Sequence, residues 1–282
     1  MTLSSSNPLV TTDWLARHID APDVRVVDAS WYLPQQQRDA KAEYAAGHIP
    51  GAVFFDIDEI ADLTSPYPHM LPPQEKFSSR VRALGLGDGI RVVVYDGSGI
   101  FSAARVWWMF RVMGHDDVVV LDGGLPKWKA ENRPLSTDLP PKASRHFTPR
   151  KNSVLLRDRE AMLRNIDTCA EQVIDARSAG RFRGVDPEPR AGLTGGHIPG
   201  STNLPFDKLL NPDGTMKPRD ELARLFAEAG IDIARPSITT CGSGVTAAVL
   251  ALALAMLGNE QVAIYDGSWA EWGSVKELPV EV

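Results

Sequence analysis

The strongest constraint on the fold is that the two halves of the chain carry the same motifs in the same order. "VRVVDAS" and "EQVIDARS" place Asp28 opposite Asp175, and "AAGHIPGA" and "TGGHIPGS" place His48 opposite His197. Three further pairs are Asp96 with Cys241, Asp122 with Asp266, and Trp128 with Trp272. The separations within the five pairs are 147, 149, 145, 144 and 144 residues. This nearly constant spacing predicts two copies of one structural unit.

The stretch between the copies, "LSTDLPPKASRHFTPRKN" at residues 135–152, is rich in proline, serine and basic residues. Such a composition is typical of a linker. We therefore expect an N-terminal domain over residues 1–138, a linker over 139–152 and a C-terminal domain over 153–282. A chain of 282 residues is long enough for each of the two domains to bury its own core.

Within each copy, short β-branched runs alternate with longer helix-like stretches. In the second copy the runs are "QVIDA", "SITT" and "VAIYD", and the helical stretches are "RDELARLFAEAG" and "VTAAVLALALAMLG". This alternation predicts an α/β fold in which each domain is a parallel sheet flanked by helices on both faces. Active sites of such sheets lie beyond the carboxyl ends of the strands, where Cys241 is expected.

Charge and hydropathy exclude several classes of protein. The net charge of −6 provides no basic field for nucleic acid or an anionic membrane. No apolar run approaches the roughly 20 residues of a membrane span, and the first residues do not resemble a signal peptide. The two cysteines, Cys169 and Cys241, have neither a metal-ligand spacing nor a CxxC redox spacing. We expect a cytoplasmic, reducing location, with no metal.

The loop "CGSGVT", residues 241–246, is typical of an anion-binding turn. Gly242 and Gly244 permit backbone angles that turn successive N–H groups inward, and the following helix adds its positive end. Such a loop stabilises a thiolate, so Cys241 is a candidate nucleophile. The alternative is an inert, buried cysteine, but the matching residue of the first copy is Asp96. A carboxylate at a purely apolar structural site would be costly.

Cys169 is different, because no glycine-rich loop surrounds it in "MLRNIDTCAEQ". We expect it to be a structural cysteine that packs against its neighbours.

The chain resembles the rhodanese superfamily, in particular its two-domain 3-mercaptopyruvate sulfurtransferases. The resemblance covers nearly the whole chain and includes "HIPGAVFFDID", "TSPYPHMLP", "GRFRGVDPEPR", "CGSGVTA" and "IYDGSWAEW". It implies two tandem rhodanese-like domains, of which the first is catalytically silent. It also implies that Cys241 takes sulfur from 3-mercaptopyruvate as a persulfide, releases pyruvate, and passes the sulfur to cyanide, a small thiol or thioredoxin. No cofactor is implied, and we expect a monomer.

The resemblance also assigns substrate-binding residues. Arg181 and Arg190 match the pair that holds the substrate, and a guanidinium pairs bidentately with a carboxylate. The alternative is that the arginines of this stretch form ion pairs with Asp175, Asp186 and Glu188, which is the expectation for Arg177 and Arg183. The other positions expected to contact substrate belong to the active loop: Gly242, Gly244, Val245 and Thr246.

Three further residues are catalytic candidates. Ser243 is placed to donate to the carbonyl oxygen of the departing enolate or to relay a proton. His48 and Asp39 match a pair proposed in the family to assist proton movement. Because His197 repeats the motif of His48, the alternative is that both histidines only fix a loop.

Three alternative functions fit the sequence less well: a thiosulfate sulfurtransferase, a phosphatase and a non-catalytic binding module. Thiosulfate sulfurtransferases share the persulfide chemistry but usually carry basic residues in the loop, where this chain has Gly242 and Ser243. Phosphatases of related fold use a C-x5-R loop, whereas here the sixth residue after Cys241 is Ala247. A non-catalytic binding module would not require Cys241 together with Arg181 and Arg190.

Overall fold

The computed structural model describes residues 7–140 and 145–282, which form two compact units. Unit 1 comprises the described residues of Met1–Ala61, Pro72–Lys151 and Leu210–Met216. Unit 2 comprises Asp62–Leu71, Asn152–Leu209 and Lys217–Val282.

Unit 1 alternates strands and helices along the chain. Its elements are β1 (Leu9–Val10), α1 (Thr12–His18), β2 (Val24–Asp28), α2 (Ala40–Ala46), β3 (Val53–Phe54), α3 (Gln74–Ala83), β4 (Arg91–Tyr95), α4 (Ser102–Val112), β5 (Val118–Leu121) and α5 (Gly124–Ala130). A short 3₁₀ helix spans Pro34–Gln36. Among the described residues the sheet has five parallel strands in the order β1-β5-β4-β2-β3.

The central strand β4 shows why the sheet is covered on both faces. Val93 and Tyr95 join a core cluster with residues of α1, α2 and α5. Val92 and Val94 alternate with them and are also fully buried, and α4 packs against β4 and β5. Since alternate residues of a strand point to opposite faces, a continuous apolar strand requires helices on both sides.

Unit 2 repeats this arrangement. Its elements are β6 (Leu156–Arg157), α6 (Arg159–Thr168), β7 (Gln172–Asp175), α7 (Ala179–Phe182), β8 (Thr202–Asn203), α8 (Arg219–Glu228), β9 (Ser237–Thr240), α9 (Ala247–Met256), β10 (Ala263–Tyr265) and α10 (Ser268–Trp272). Two 3₁₀ helices span Ser153–Leu155 and Phe206–Leu209. Its parallel strands follow the order β6-β10-β9-β7-β8, which is the order of unit 1. The predicted α/β fold and its repetition are confirmed.

The boundaries of the units differ from the contiguous domains expected from the sequence. Asp62–Leu71 belongs to unit 2 and Leu210–Met216 to unit 1. Of the expected linker at 139–152, residues 141–144 lie outside the described residues, and the described part up to Lys151 belongs to unit 1. The reason is Phe147, which is 2% exposed and packs against Phe77 and Phe110.

Three expectations about single segments can be compared with the structure. The apolar stretch from Val245 to Leu257 contains α9, all of whose residues are buried, as predicted. The expectation that Cys169 packs is wrong: it is exposed and ends α6 with φ +49°, so its side chain lies outside the core. Among the described residues, no helix has both the length and the apolar character needed to cross a bilayer.

Candidate active site

Cys241 directly follows β9, at the carboxyl end of a central strand of unit 2. It is 2% exposed, and the loop of residues 242–246 separates it from α9. The carbonyl oxygens of Cys241 and Gly242 accept hydrogen bonds of 2.9 Å from the backbone N–H groups of Trp269 and Ala270, in the first turn of α10. The backbone N–H of Cys241 donates to Oγ of Ser268 at 3.3 Å. Helix α10 therefore fixes the backbone of Cys241 and Gly242.

The equivalent loop of unit 1 holds the carboxyl group of Asp96. Asp96 follows β4, is 1% exposed, and accepts three backbone hydrogen bonds, from Ser98 at 2.8 Å, Phe101 at 2.7 Å and Ala103 at 2.8 Å. Burial raises the pKa of Asp96, while these N–H donors act in the opposite direction. In unit 1 the backbone N–H groups of the loop therefore converge on a buried carboxyl group.

Counting 145 residues onward, the same positions in unit 2 are Ser243, Thr246 and Ala248. The two loops have the same length between strand and helix, although the backbone N–H of Ala248 donates to the carbonyl oxygen of Val245 at 3.2 Å. Cys241 therefore lies in unit 2 at the position where unit 1 has a buried carboxyl group.

Arg181 and Arg190 lie over the loop at Gly242. A Cβ atom built on Gly242 would lie 3.1 Å from Nη2 of Arg181 and 3.8 Å from Nη1 of Arg190. The structure therefore brings the two arginines next to the loop that follows Cys241. Gly244 has φ +74°, a backbone conformation that favours glycine, while Val245 is buried and Thr246 is half-buried.

A buried carboxylate orients Arg181. Oε2 of Glu188 accepts from Nη2 of Arg181 at 2.6 Å, and Oε1 accepts from Nη1 of Arg177 at 2.8 Å. Arg177 also pairs with Asp175 at 2.7 Å and lies over the Trp269 ring. Its side chain is fully buried, whereas that of Arg181 is 22% exposed and remains reachable.

The expected structural role of Arg177 agrees with this network. Burial alone would lower the pKa of Arg177, but the carboxylates of Asp175 and Glu188 outweigh that effect and raise it. Arg183 is exposed. An open cavity of about 440 Å³, lined by residues 184–195 with Glu188 and Arg190 among them, lies beside this network.

The structure adds a residue that sequence reasoning did not assign. Nδ1 of His69 lies 3.0 Å from Oγ of Ser243, at hydrogen-bond distance, and both side chains are buried. His69 lies in Asp62–Leu71, the segment of the first sequence repeat that belongs to unit 2. The motif "TSPYPHMLP" contributes to the family resemblance, but no pattern in the sequence pairs its histidine with Ser243.

His69 adopts an unusual backbone conformation, with φ +62°. It lies five residues before α3, and the residue five positions before α8 in the second repeat is Gly214, with φ +79°. A left-handed conformation is cheap for glycine and costly for histidine. The histidine therefore adopts a backbone conformation that is unfavourable for it. Such conformations are typical of functional residues.

His48 and Asp39 both have structural partners in unit 1. Nδ1 of His48 is 2.8 Å from the carbonyl oxygen of Tyr44, and the two rings stack at 4.1 Å. The carboxylate of Asp39 caps α2 by accepting from the backbone N–H groups of Lys41 and Ala42 at 3.0 Å. His197 makes the same type of bond, with the carbonyl oxygen of Phe182 at 2.8 Å. A catalytic role for His48 and Asp39 stays a prediction.

Comparison with known proteins agrees with the site and the fold. The profile of the Rhodanese-like domain family matches residues 11–131 and 158–274. This chain belongs to the rhodanese family. Each matched region contains four of the five strands of one sheet, β2–β5 or β7–β10, and one of the two equivalent loops, which follow β4 and β9. Among the described residues, no group of three or more His, Cys, Asp or Glu side chains is arranged to hold a metal ion.

Rhodanese-family relatives and a solved structure match nearly the whole chain. It is 46% identical to the 3-mercaptopyruvate sulfurtransferase of Rattus norvegicus over 270 residues, which cover 94% of this chain and 91% of the relative. It is also 46% identical to the thiosulfate sulfurtransferase of the same organism over 271 residues, with coverage of 94% and 91%. The crystal structure of SseA from Escherichia coli matches with a TM-score of 0.86 and 41% identity, covering 93% of this chain and 99% of that one.

Proposed function

We propose that this member of the rhodanese family is a 3-mercaptopyruvate sulfurtransferase that carries sulfur as a Cys241 persulfide. The observation on which the proposal depends is the placement of Arg181 and Arg190 over Gly242, next to a cysteine in an anion-binding loop. An α-keto acid with a transferable thiol requires these two features together: a clamp for its carboxylate and a nucleophile for its sulfur.

The transfer step can be written with its atoms in balance. The Cys241 thiolate attacks the substrate sulfur, so an S–S bond forms and the C–S bond breaks. The electron pair of the C–S bond goes to carbon, giving the enolate of pyruvate. The proton that leaves the substrate thiol is the one that pyruvate needs at its methyl carbon. The step therefore consumes no oxidant or reductant, but it requires a group that takes and returns one proton.

Ser243 and His69 are the pair that we assign to this proton transfer. Their 3.0 Å contact links a hydroxyl two residues from Cys241 to an imidazole, the side chain that exchanges protons most readily near neutral pH. Because both side chains are buried, the proton is exchanged within the site instead of with bulk water. The Ser243 hydroxyl also provides a donor for the enolate oxygen.

Thiosulfate is the second candidate donor. The two rat relatives, one of each activity, are equally identical to this chain, so overall identity does not separate the donors. The loop favours mercaptopyruvate, because Gly242 and Ser243 add no cation beyond Arg181 and Arg190 for a doubly charged donor.

The remaining parts of the proposal concern acceptor, assembly and location. We propose cyanide, a small thiol or thioredoxin as the acceptor of the persulfide sulfur. A monomer and a cytoplasmic location also stay predictions, supported by the net charge of −6 and by two cysteines that form no disulfide.

Intact mass spectrometry tests the proposal directly. The protein is incubated briefly with 3-mercaptopyruvate or with thiosulfate, beside Cys241→Ser, and with Cys169→Ser as the matched control. We expect mercaptopyruvate to add one sulfur atom to the wild type and to Cys169→Ser, and cyanide to remove it. Addition mainly from thiosulfate would retain the chemistry and change the donor. No addition from either donor would refute the sulfurtransferase function.

A further inference from the structure

Two segments of the chain occupy equivalent places in the two repeats. The first arm is Asp62–Leu71, which belongs to unit 2, and the second arm is Leu210–Met216, which belongs to unit 1. Leu71 lies three residues before the start of α3 at Gln74, and Met216 lies three residues before the start of α8 at Arg219. Each arm thus ends at the same point of its repeat.

Both arms end in the same hydrogen bond. The backbone N–H of Leu71 donates to Oδ2 of Asp266 at 2.7 Å, and the backbone N–H of Met216 donates to Oδ1 of Asp122 at 2.8 Å. Asp266 and Asp122 are themselves a repeat pair, 144 residues apart. Hydrogen bonds to a carboxylate are among the stronger ones in proteins, so each aspartate is a firm anchor for its arm.

The arms differ in the residue that they carry. Two positions before Leu71 the first arm has His69, whose imidazole lies against Ser243. Two positions before Met216 the second arm has Gly214. The anchor in unit 2 therefore holds an arm with a functional side chain, and the anchor in unit 1 holds one without.

Asp266 is well placed to affect the active site. It follows β10, and Cys241 follows the neighbouring parallel strand β9, so both lie at the same edge of the sheet. Asp266 is 4% exposed. Because the accepting carboxylate is buried, its bond to Leu71 is stronger than it would be in water.

The first arm is closed by an internal hydrogen bond and is joined to Asp266 at its last residue. The backbone N–H of Asp62 donates to the carbonyl oxygen of Met70 at 2.8 Å, which closes the arm into a loop. The Asp62 side chain also accepts from the backbone N–H of Thr64 at 3.0 Å. Because Leu71 lies two residues after His69, a displacement of the Leu71 backbone would also displace the imidazole. Displacement of a catalytic group by about 1 Å can cost about 100-fold in rate.

We propose that Asp266 is a positioning residue of the sulfur-transfer site, which sets His69 against Ser243 by holding the backbone N–H of Leu71. The inference depends on the proposed function, because it assigns Asp266 a place in that reaction. Asp122 makes the equivalent bond in unit 1, where the arm carries no functional side chain. A substitution of Asp122 is therefore the control for the same substitution of Asp266.

The first test compares Asp266→Ala, Asp266→Asn and Asp122→Ala in steady-state turnover of 3-mercaptopyruvate. Asp266→Ala is expected to lower kcat by about 10- to 100-fold with KM changed by less than about 3-fold. Asp266→Asn keeps an oxygen that accepts from Leu71, so its kcat is expected within about 3-fold of the wild type. Asp122→Ala is expected to leave kcat and KM unchanged. Equal losses in Asp266→Ala and Asp122→Ala would overturn the proposal.

A double-mutant cycle tests whether Asp266 acts through His69. In the background of His69→Ala, adding Asp266→Ala is expected to change kcat by less than about 2-fold, because the group that it positions is gone. A further loss as large as in the wild-type background would overturn the proposal. If Asp266→Ala does not fold, Asp266→Glu replaces it in both tests. The glutamate side chain is longer by one methylene group, which shifts the carboxylate and with it the Leu71 backbone. An unchanged kcat would therefore overturn the proposal.

Amide hydrogen exchange separates this inference from the proposed function. Asp266→Ala is expected to speed exchange at Leu71 by about 10-fold or more without affecting Met216, and Asp122→Ala is expected to do the reverse. A wild-type protein that gains no sulfur refutes the proposed function, whatever the exchange rates. Sulfur gain in the wild type with unchanged exchange at Leu71 in Asp266→Ala refutes the anchor alone.

Discussion

The loops after β4 and β9 have the same length and both connect a strand to a helix, yet only one of them begins with a cysteine. In unit 1 the loop is filled by the carboxylate of Asp96, and Cβ built on Gly97 would meet the hydroxyl of Tyr32. In unit 2 the first residue is Cys241, and the space over Gly242 belongs to two guanidinium groups. The two loops thus share one scaffold. They differ in the first residue of the loop and in the side chains that lie over its second residue, and these differences distinguish the sulfur-transfer site.

The arms extend this comparison. The place of Gly214 in unit 1 is taken in unit 2 by His69, which adopts nearly the same left-handed backbone with a side chain attached. Three replacements therefore separate the two loops: cysteine for aspartate, arginines for a tyrosine hydroxyl, and histidine for glycine. Each difference can be tested by a substitution in unit 2, and in some cases by a matched substitution in unit 1.

Cys241→Asp makes the active loop like its counterpart and has the largest expected effect. It should lower kcat by about 1,000-fold or more, because the loop then holds a carboxylate and no sulfur nucleophile remains there. Pyruvate release from 3-mercaptopyruvate and intact mass measure the loss. Cys169→Ser should retain full activity, and sulfur gain by Cys241→Asp would contradict the assignment.

His69→Gly gives the first arm the residue of the second. We expect kcat to fall by about 100-fold, since general acid–base catalysis typically contributes that much or more. The free energy of unfolding should change by no more than about 1 kcal/mol, because glycine accepts the left-handed backbone without strain. Turnover and urea denaturation measure the two effects.

Gly214→Ala is the matched variant in unit 1. It should lower the free energy of unfolding by about 1 kcal/mol or more, since alanine is strained at positive φ, and leave kcat unchanged. Unchanged turnover in His69→Gly, or a loss of turnover in Gly214→Ala, would contradict the distinction between the two arms.

Arg181→Lys tests the guanidinium groups over the loop. Lysine cannot bond Glu188 and a substrate carboxylate through one planar fork, so we expect KM for 3-mercaptopyruvate to rise by about 10-fold or more. Steady-state kinetics measure it. Arg183→Lys, at an exposed position of the same stretch, is the control and should leave KM unchanged.

Gly242→Ala and Gly97→Ala compare the two glycines, with the smallest expected effect on catalysis. Alanine at 242 would push Nη2 of Arg181 by a few tenths of an ångström, raising KM by about 2- to 5-fold. Alanine at 97 must displace the Tyr32 hydroxyl, which should lower the free energy of unfolding by about 1–3 kcal/mol and leave KM unchanged. A rise of KM in both variants would contradict the comparison.

Much of the fold was predictable because hydrophobic periodicity is a local signal. The runs "QVIDA", "SITT" and "VAIYD" correspond to β7, β9 and β10, and the stretch after Gly244 contains the buried helix α9. The expectation for Cys169 failed because its helix-like context did not reveal a helix end in a left-handed conformation, where the side chain faces solvent. The linker was predicted from its composition, yet its described part is tied to unit 1 by the buried Phe147 and by hydrogen bonds such as that from the backbone N–H of Arg150 to the carbonyl oxygen of Met113.

The repeat, the parallel α/β class, the glycine-rich loop after Cys241 and the cluster of arginines can all be recognised in the amino-acid sequence. These features depend on residues close together in the chain or on motifs repeated at constant spacing. Only the tertiary structure decided that His69 meets Ser243, 174 residues away, and that the segment carrying it belongs to unit 2. Such a contact leaves no local trace, because packing and the Leu71–Asp266 hydrogen bond create it, and neither is a property of any short stretch of sequence.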